Sequence, residues 1–302
     1  MKFFRYLRSL FLLTLPLIGG HIAQILIGVG DTLIVGRYST EALAALVLGT
    51  TIFFIIFILG AGFSFAAMAL VSTANIESDN TKIRRITRMA LWLSLAFGLL
   101  VSPIFALSER LLLFLGQEFN LAALASDYLI FSGIAIFPAL SASVLRCYLA
   151  GMEYVKVTFY ISIIAVLLNL LVNYLLVFGM FGLPELGIVG AGIATVFVNL
   201  FMFMSFVIYA KIKLPQHNLF VRFWRPDRGV IDLVLKMGSA IGITSLAEAG
   251  LFSASSIMMG WVGQLELAAH GIALQLASIT FMLHLGLSDA ATIRVSSALG
   301  KK

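Results

Sequence analysis

The chain has 302 residues, 61% of them hydrophobic and only 11% charged, with a mean hydropathy of +1.06. Soluble domains carry roughly a quarter of their residues as charges, so a soluble globular fold is excluded and one large membrane domain is implied. The net charge of +6 comes from short basic clusters between apolar runs, which argues against nucleic-acid binding, and the single cysteine, Cys147, excludes an intrachain disulfide.

The N-terminus, MKFFRYLRSLFLLTLPLIGG, imitates a secretory signal. Its apolar stretch runs on to Gly36, too far for a signal core of about 7–15 residues. It is expected to stay as the first membrane span. Runs close to the roughly 20 apolar residues that cross a bilayer fall at about 10–36, 44–73, 86–107, 121–145, 155–179, 187–210, 237–261 and 268–293. The expected fold is therefore an all-α polytopic membrane protein with eight spans here. Pro16, Pro103 and Pro138 lie inside spans, as membrane helices tolerate.

Direction follows from Lys and Arg. Along an alternating eight-span path, 18 of the 20 basic residues fall on one side, and only Arg37 and Arg110 fall on the other. The positive-inside tendency then places both termini in the cytoplasm, in the inner (plasma) membrane. The loop at 213–229 is longer and mixes Leu219, Phe220, Phe223 and Trp224 with Arg222 and Arg225. It reads as an interfacial segment lying on the inner leaflet, in contact with membrane lipid. It sets the expected division: 1–212 with six spans, 213–235 as a cytoplasmic amphipathic linker, and 236–302 with two more spans.

Sliding the sequence by 224 residues sets 16–74 against 240–298 without a gap, and 15 of the 59 positions are identical, among them Gly36/Gly260, Gly62/Gly286 and Val71-Ser72/Val295-Ser296. Both segments start on the same side, so the repeat is parallel. Two equal units would make roughly 440–450 residues, twice the offset. The chain is thus expected to be about two thirds of a six-plus-six transporter, either a truncated product or one that needs a complementary fragment of the second half.

Ionisable groups inside spans are costly, about 2.5–3.5 kcal/mol on insertion scales, and normally face a cavity or a partner. Asp31 stands in the outer half of the first span, in LIGVGDTLIVG, and Glu248 near the middle of the seventh, in TSLAEAGLFSASS. Under the repeat Glu248 faces Gln24 and Ser255 faces Asp31. Gln24 and Asp31 share a helix face about 10.5 Å apart along the axis. Asn169 and Asn173 are four apart in the fifth span, as are Thr195 and Asn199 in the sixth. Such residues often serve as glue between helices. Beside Asp31, an all-oxygen-and-amide set suits a hard monovalent cation or a proton relay rather than a transition metal. His21, His270 and His284 have no spacing that pairs them and are expected to pack or hydrogen-bond. No phosphate-binding GxxxxGK[ST] loop, Ser/His/Asp set or HExxH is present, so neither ATP-driven work nor enzymatic catalysis is expected.

The segments LPLIGGHIAQILIGVGDTLIVG, LRCYLAGMEYVKV, LLNLLVNYLLVFGMFGLPELGIVGAGIAT and SLAEAGLFSASSIMMGWVGQLELAAH together resemble the multidrug and toxic compound extrusion (MATE) family, closest to its NorM-type branch. The resemblance implies two six-helix lobes related by a pseudo-two-fold, with the first lobe and two helices of the second present here. It implies export of cationic or amphipathic organic compounds in exchange for sodium ions or protons, with no other cofactor. It matches Asp31 to an acidic residue of the first lobe, Asn169, Asn173 and Thr195 to the cation or proton site beside it, and Glu248 to an acid of the second lobe. Some relatives carry an acid where this chain has Asn173, and Val157 stands where a Pro is common. Pro16 and the nearby glycines are expected to let the first span bend when its carboxylate is protonated. Two alternatives use the same residues differently. A lipid-linked saccharide flippase would want basic residues inside the spans, which are nearly free of them. A non-transporting remnant or partner-binding membrane protein would use the polar residues as glue.

Overall fold

The computed structural model describes the backbone of residues 2–300 except 183, 222 and 263, and the side chains at 11–182, 184–221, 223–252, 255, 273, 277–278 and 280–300. Every regular element among these residues is helical. In chain order they are α1 (Lys2–Tyr38), α2 (Thr40–Ile76), α3 (Asn80–Ala106), α4 (Ser108–Phe114), α5 (Phe119–Gly151), α6 (Val155–Phe178), α7 (Gly187–Lys213), α8 (Arg228–Val262) and α9 (Gln264–Leu299), with single 3-10 turns at Met180–Gly182 and Pro215–His217. Among the described residues, α1, α2, α3, α5, α6, α7 and α8 each hold a stretch long and apolar enough to cross a membrane. The eighth expected span lies inside α9, where most side chains between 264 and 279 are outside the described residues. The chain is a multi-pass membrane protein. Several helices run well past the expected spans, because polar turns continue a helix beyond the hydrocarbon layer without changing its hydrogen bonding. The short α4 was not anticipated from the hydropathy pattern.

Local chemistry sets the helix ends. Only Ser39 separates α1 from α2. Its backbone is extended (φ −160°, ψ 142°), and its Oγ accepts from the N–H groups of Glu41 and Ala42 at 3.2 and 3.4 Å, satisfying donors that a helix start leaves free. Asp79 does the same for α3, accepting from Thr81 and Lys82 at 3.0 and 2.9 Å. Gly179 ends α6 in the left-handed region at φ 66°, which costs a glycine little.

Helix α5 is the central post, buried on almost every face and packed against α2, α3, α4 and α7, while α1 lies on α6 and α6 on α7. Ala135, Ala139, Ser141, Ala142 and Ser143 line α5, and small side chains of this kind let neighbouring helices approach closely in lipid. The second unit docks crosswise, with α8 against α2 and α3, and α9 against α1 and α2.

The sequence repeat reappears as contact geometry. A Cβ placed on Gly62 of α2 would strike the backbone of Gly238 and Gly242 on α8, and a Cβ on Gly286 of α9 would strike Ile18 on α1. Gly286 stands 224 positions after Gly62, and Ile18 stands 224 positions before Gly242, so these are repeat-related contacts. Ser72 donates to the Ile293 carbonyl and bonds Ser297 Oγ, each at 2.8 Å, and Thr73 donates to the Ser296 carbonyl at 3.2 Å. Ser72 and Ser296 are repeat mates, as are Thr73 and Ser297. The α2–α9 crossing is therefore self-complementary, as a two-fold demands.

The 213–229 segment, expected as an interfacial loop, packs on the helices. It is strapped under one end of the bundle, the end that collects most of the basic residues. Leu219 and His217 are buried, and Phe220 and Phe223 pack on the core. Trp92 Nε1 donates to the Phe223 carbonyl at 2.9 Å, Arg88 donates to the Val221 carbonyl at 3.0 Å, and Arg85 pairs with Asp227 at 3.4 Å. Carbonyls of this irregular loop find donors on α3, which fixes the loop to the helices. Only Trp224, 76% exposed, keeps the expected outward aromatic face. Helix α8 already begins at Arg228, inside the expected linker.

Candidate functional site

Asp31, on α1, is 5% exposed, and Asn169 and Asn173, on α6, are fully buried. The Asn169 side-chain amide donates to Asp31 Oδ1 at 2.9 Å, and the Asn173 amide donates to the same oxygen at 2.6 Å. The close approach of α1 to α6 has a local cause. At Gly30 a Cβ would meet Leu170 Cδ2 at 2.7 Å and Asn169 Oδ1 at 3.2 Å, so a hydrogen at that position lets the two helices come near enough for the bonds to form. The four-residue spacing of the asparagines puts both on one face, and that face points at the carboxylate.

The amide nitrogens are satisfied, but Asn169 Oδ1 and Asn173 Oδ1 are buried without a hydrogen-bond partner. Two orphaned carbonyl oxygens beside a buried carboxylate are expensive, about 1–3 kcal/mol each. Such an arrangement needs a compensating group. A hard cation accepts oxygen ligands of this kind. A protonated carboxyl group also fits, since its O–H can donate to an amide oxygen.

The remaining expected residues fall at varying distances from this cluster. Thr195 and Asn199 lie on α7. Thr195 Oγ1 donates to the Ala191 carbonyl at 3.0 Å, and the Asn199 amide donates to the Thr195 carbonyl at 2.8 Å. Asn199 thus spends its donor on its own helix. Gln24 is half-buried on α1. Glu248 does not join Asp31. It is exposed on α8, which packs against α2, α3 and α9. Ser255 is half-buried and its hydroxyl donates to the Phe252 carbonyl at 2.8 Å. Among the described residues no group of three or more His, Cys, Asp or Glu could hold a metal ion.

Two features went unread in the sequence. Tyr128, on α5, is 2% exposed, and its hydroxyl lies beside the Thr195 and Ser132 side chains. An aromatic residue in an apolar span carries no mark distinguishing it from core. The second is a buried pair, His21 Nε2 with Asp289 Oδ2 at 2.8 Å, joining α1 to α9. His21 hydrogen-bonds as expected, but its partner is 268 residues away. His284 donates to the Thr280 carbonyl at 2.9 Å, and the side chain of His270 lies outside the described residues.

The chain has known relatives in sequence and in fold. The MatE family model matches residues 16–175 and 240–302. The chain is 46% identical over 302 residues to a probable multidrug resistance protein NorM of Agrobacterium fabrum, covering 99% of this chain and 65% of that protein. It is 43% identical to a probable NorM of Rhizobium meliloti, covering 98% and 64%. The chain therefore spans about 65% of the length of these curated relatives. Crystal structures of MATE in the bent and in the straight conformation each superpose with a TM-score of 0.85 at 20% identity, over 97% of this chain and 65% of theirs. An outward-facing multidrug resistance MATE family transporter of the MOP superfamily gives 0.85 at 20% identity, covering 97% and 64%.

Proposed function

Because this chain belongs to the MatE family, we propose that it works, together with the rest of a second six-helix half, as an antiporter that exports cationic or amphipathic organic compounds in exchange for sodium ions or protons. The observation that carries the reading is the buried Asp31 carboxylate held by two amide N–H groups whose own carbonyl oxygens are unpaired. The site sits in the inner membrane with both termini cytoplasmic, as the basic bias suggests.

The chemistry follows from the two faces of an amide. While Asp31 is ionised and empty, the N–H groups of Asn169 and Asn173 stabilise its charge. An entering sodium ion takes a carboxylate oxygen, and the orphaned amide oxygens and Thr195 Oγ1 turn toward it. An entering proton makes Asp31 a donor, and an amide oxygen accepts from it. Either event replaces a charge held by donors with a neutral site held by acceptors. The contact between α1 and α6 must then rearrange, and α1, interrupted at Pro16 and carrying Gly19, Gly20, Gly28 and Gly30, is the helix able to bend. Substrate export is driven only if the ion binds the two arrangements unequally. Glu248 acts as the second carboxylate, on the half to which the remaining helices would add. A flippase reading lacks support, because phosphate recognition calls for Arg or Lys inside the spans.

The test is efflux of a fluorescent organic cation from cells making the completed protein, with sodium and pH varied separately. Asp31→Asn should abolish ion-dependent efflux and Glu248→Gln should reduce it. Unchanged ion-driven efflux in Asp31→Asn would overturn the reading. Efflux that collapses with the sodium gradient but not with the proton gradient would assign sodium as the coupling ion.

A further inference from the structure

Below the Asp31 site, toward the basic end, the two repeat units are held shut against each other. Arg294 of α9 pairs with Glu153 at 3.2 Å, but both are 39% exposed, and such a pair contributes little in water. Ser72 and Thr73 reach α9, and Gly286 presses on Ile18. The His21–Asp289 pair stands apart from these. It is a buried contact between ionisable side chains across the seam, with side chains only 6% and 11% exposed. It sits about 15 Å from Asp31 on the same helix, ten residues at 1.5 Å rise.

Next to it lies a small cavity of about 20 Å³, room for one water. Arg146 and Cys147 of α5, Met68 of α2 and Thr158 of α6 line it. Those are the neighbours that α2, α5 and α6 turn toward the pair, and Arg146 is the charged one. Cys147 is 3% exposed and is the only cysteine in the chain.

We infer that His21 and Asp289 form a latch that closes the seam between the two repeat units on the basic side, and that this latch must part for transport. The inference rests on the transporter reading above. Geometry carries it. The two residues come from α1 and α9, helices of different units. A buried polar pair costs desolvation unless both partners are present, so separating them needs water to enter, which is what an opening gate admits. The pair also lies on the helix whose bend the ion controls, so movement at Asp31 bears directly on His21.

Cys147 supplies a native reporter. In membranes holding the completed protein, with any cysteine outside these 302 residues replaced by serine, its reaction with N-ethylmaleimide is expected to be slow while His21 and Asp289 are intact. In Asp289→Asn, nearly isosteric, and in His21→Phe, labelling should rise about tenfold, the scale set by loss of one buried charge-assisted hydrogen bond. The swapped variant His21→Asp/Asp289→His should return labelling to within about twofold of the unmutated rate. Labelling at the unmutated rate in both single variants overturns the latch. A fluorescence melt identifies variants that merely unfold, and the swap keeps the proposal testable in that case.

A purely structural pair would give the same labelling, so a second measurement is needed. In a Cys147→Ser background, His21→Cys/Asp289→Cys is bridged with a short bis-methanethiosulfonate reagent. Efflux of the fluorescent cation should stop on bridging and recover on reduction. Efflux untouched by complete bridging overturns the latch. Absence of efflux in the unmutated completed protein, with labelling still changed in the single variants, refutes the transport reading and leaves the seam contact standing.

Discussion

Gly62→Ala adds one methyl group where α2 crosses α8. The new Cβ would lie 2.7 Å from Gly242 N and 2.9 Å from Gly242 Cα, and closer still to the Gly238 carbonyl oxygen. These are backbone atoms, and no rotamer change can relieve the clash. The helices must part by something near 1 Å to regain van der Waals contact. Overpacking of this kind costs about 1–3 kcal/mol. Against it stands the gain of about 0.5–1 kcal/mol from replacing a helical glycine with alanine. The net expectation is a loss of about 1–2 kcal/mol. Gly250→Ala, on α8 with nothing within 4 Å of the new atom, keeps only the gain. Thermal unfolding in detergent, followed by fluorescence-detected size exclusion, should put Gly62→Ala below the unmutated protein and Gly250→Ala at or above it. If Gly62→Ala melts no lower than Gly250→Ala, the close crossing of the two units does not hold the fold together as described.

Asn173→Ala removes the shorter of the two donors to Asp31 and one orphaned oxygen. That oxygen costs about 1–3 kcal/mol while unpaired, a cost an entering sodium ion relieves, so with sodium as the coupling ion its thermal protection should need several-fold more sodium; protection at the original concentration would refute the ligand role. His217, where the Tyr148 hydroxyl bonds Nδ1 at 2.5 Å, is pushed below the usual histidine pKa of 6.5 by burial. Its neutral form is the folded one, so its contribution is complete above about pH 6.5 and is lost as pH falls through the lowered value. Limited proteolysis of the 213–228 strap should quicken between about pH 7 and 5, and His217→Phe should flatten that dependence. The cycle Ser72→Ala, Ser297→Ala and the double variant should show a coupling of about 0.6 kcal/mol, with 1.7 as the upper end for such membrane bonds; zero coupling in the melt would deny the crossing its hydrogen bond.

Much of this architecture is legible from residue order because the bilayer imposes strict rules. A helix must be long and apolar, and positive charge stays on one side, so the spans fall inside helices. Asn169 and Asn173 pair with Asp31 because a four-residue spacing sets a face, and a lone acid needs such a face. The 224-residue offset is visible because close helix crossings keep glycine and serine at fixed places. Other features depend on distance in space alone. His21 and Asp289 are separated by 268 residues with no periodic signal between them. Tyr128 looks like any aromatic of an apolar span until α7 sets Thr195 beside it. The strap at 213–229 reads as amphipathic and lipid-seeking, and only the donors on α3 reveal that its carbonyls are claimed by protein. Glu248 carries a strong sequence signal because an acid in a span is rare, yet the helices described here leave it exposed.

The single residue between α1 and α2 leaves no slack. A longer connection would let one helix tilt while the other stayed still. Ser39 cannot, since its backbone is extended and its side chain is tied to the first turn of α2. Asp31 lies two helical turns before this knuckle, and α2 runs from it straight to Gly62 and Ser72. Under the proposed exchange, what an ion does at the carboxylate is delivered, as through a short crank, to the rod on which the second unit rests.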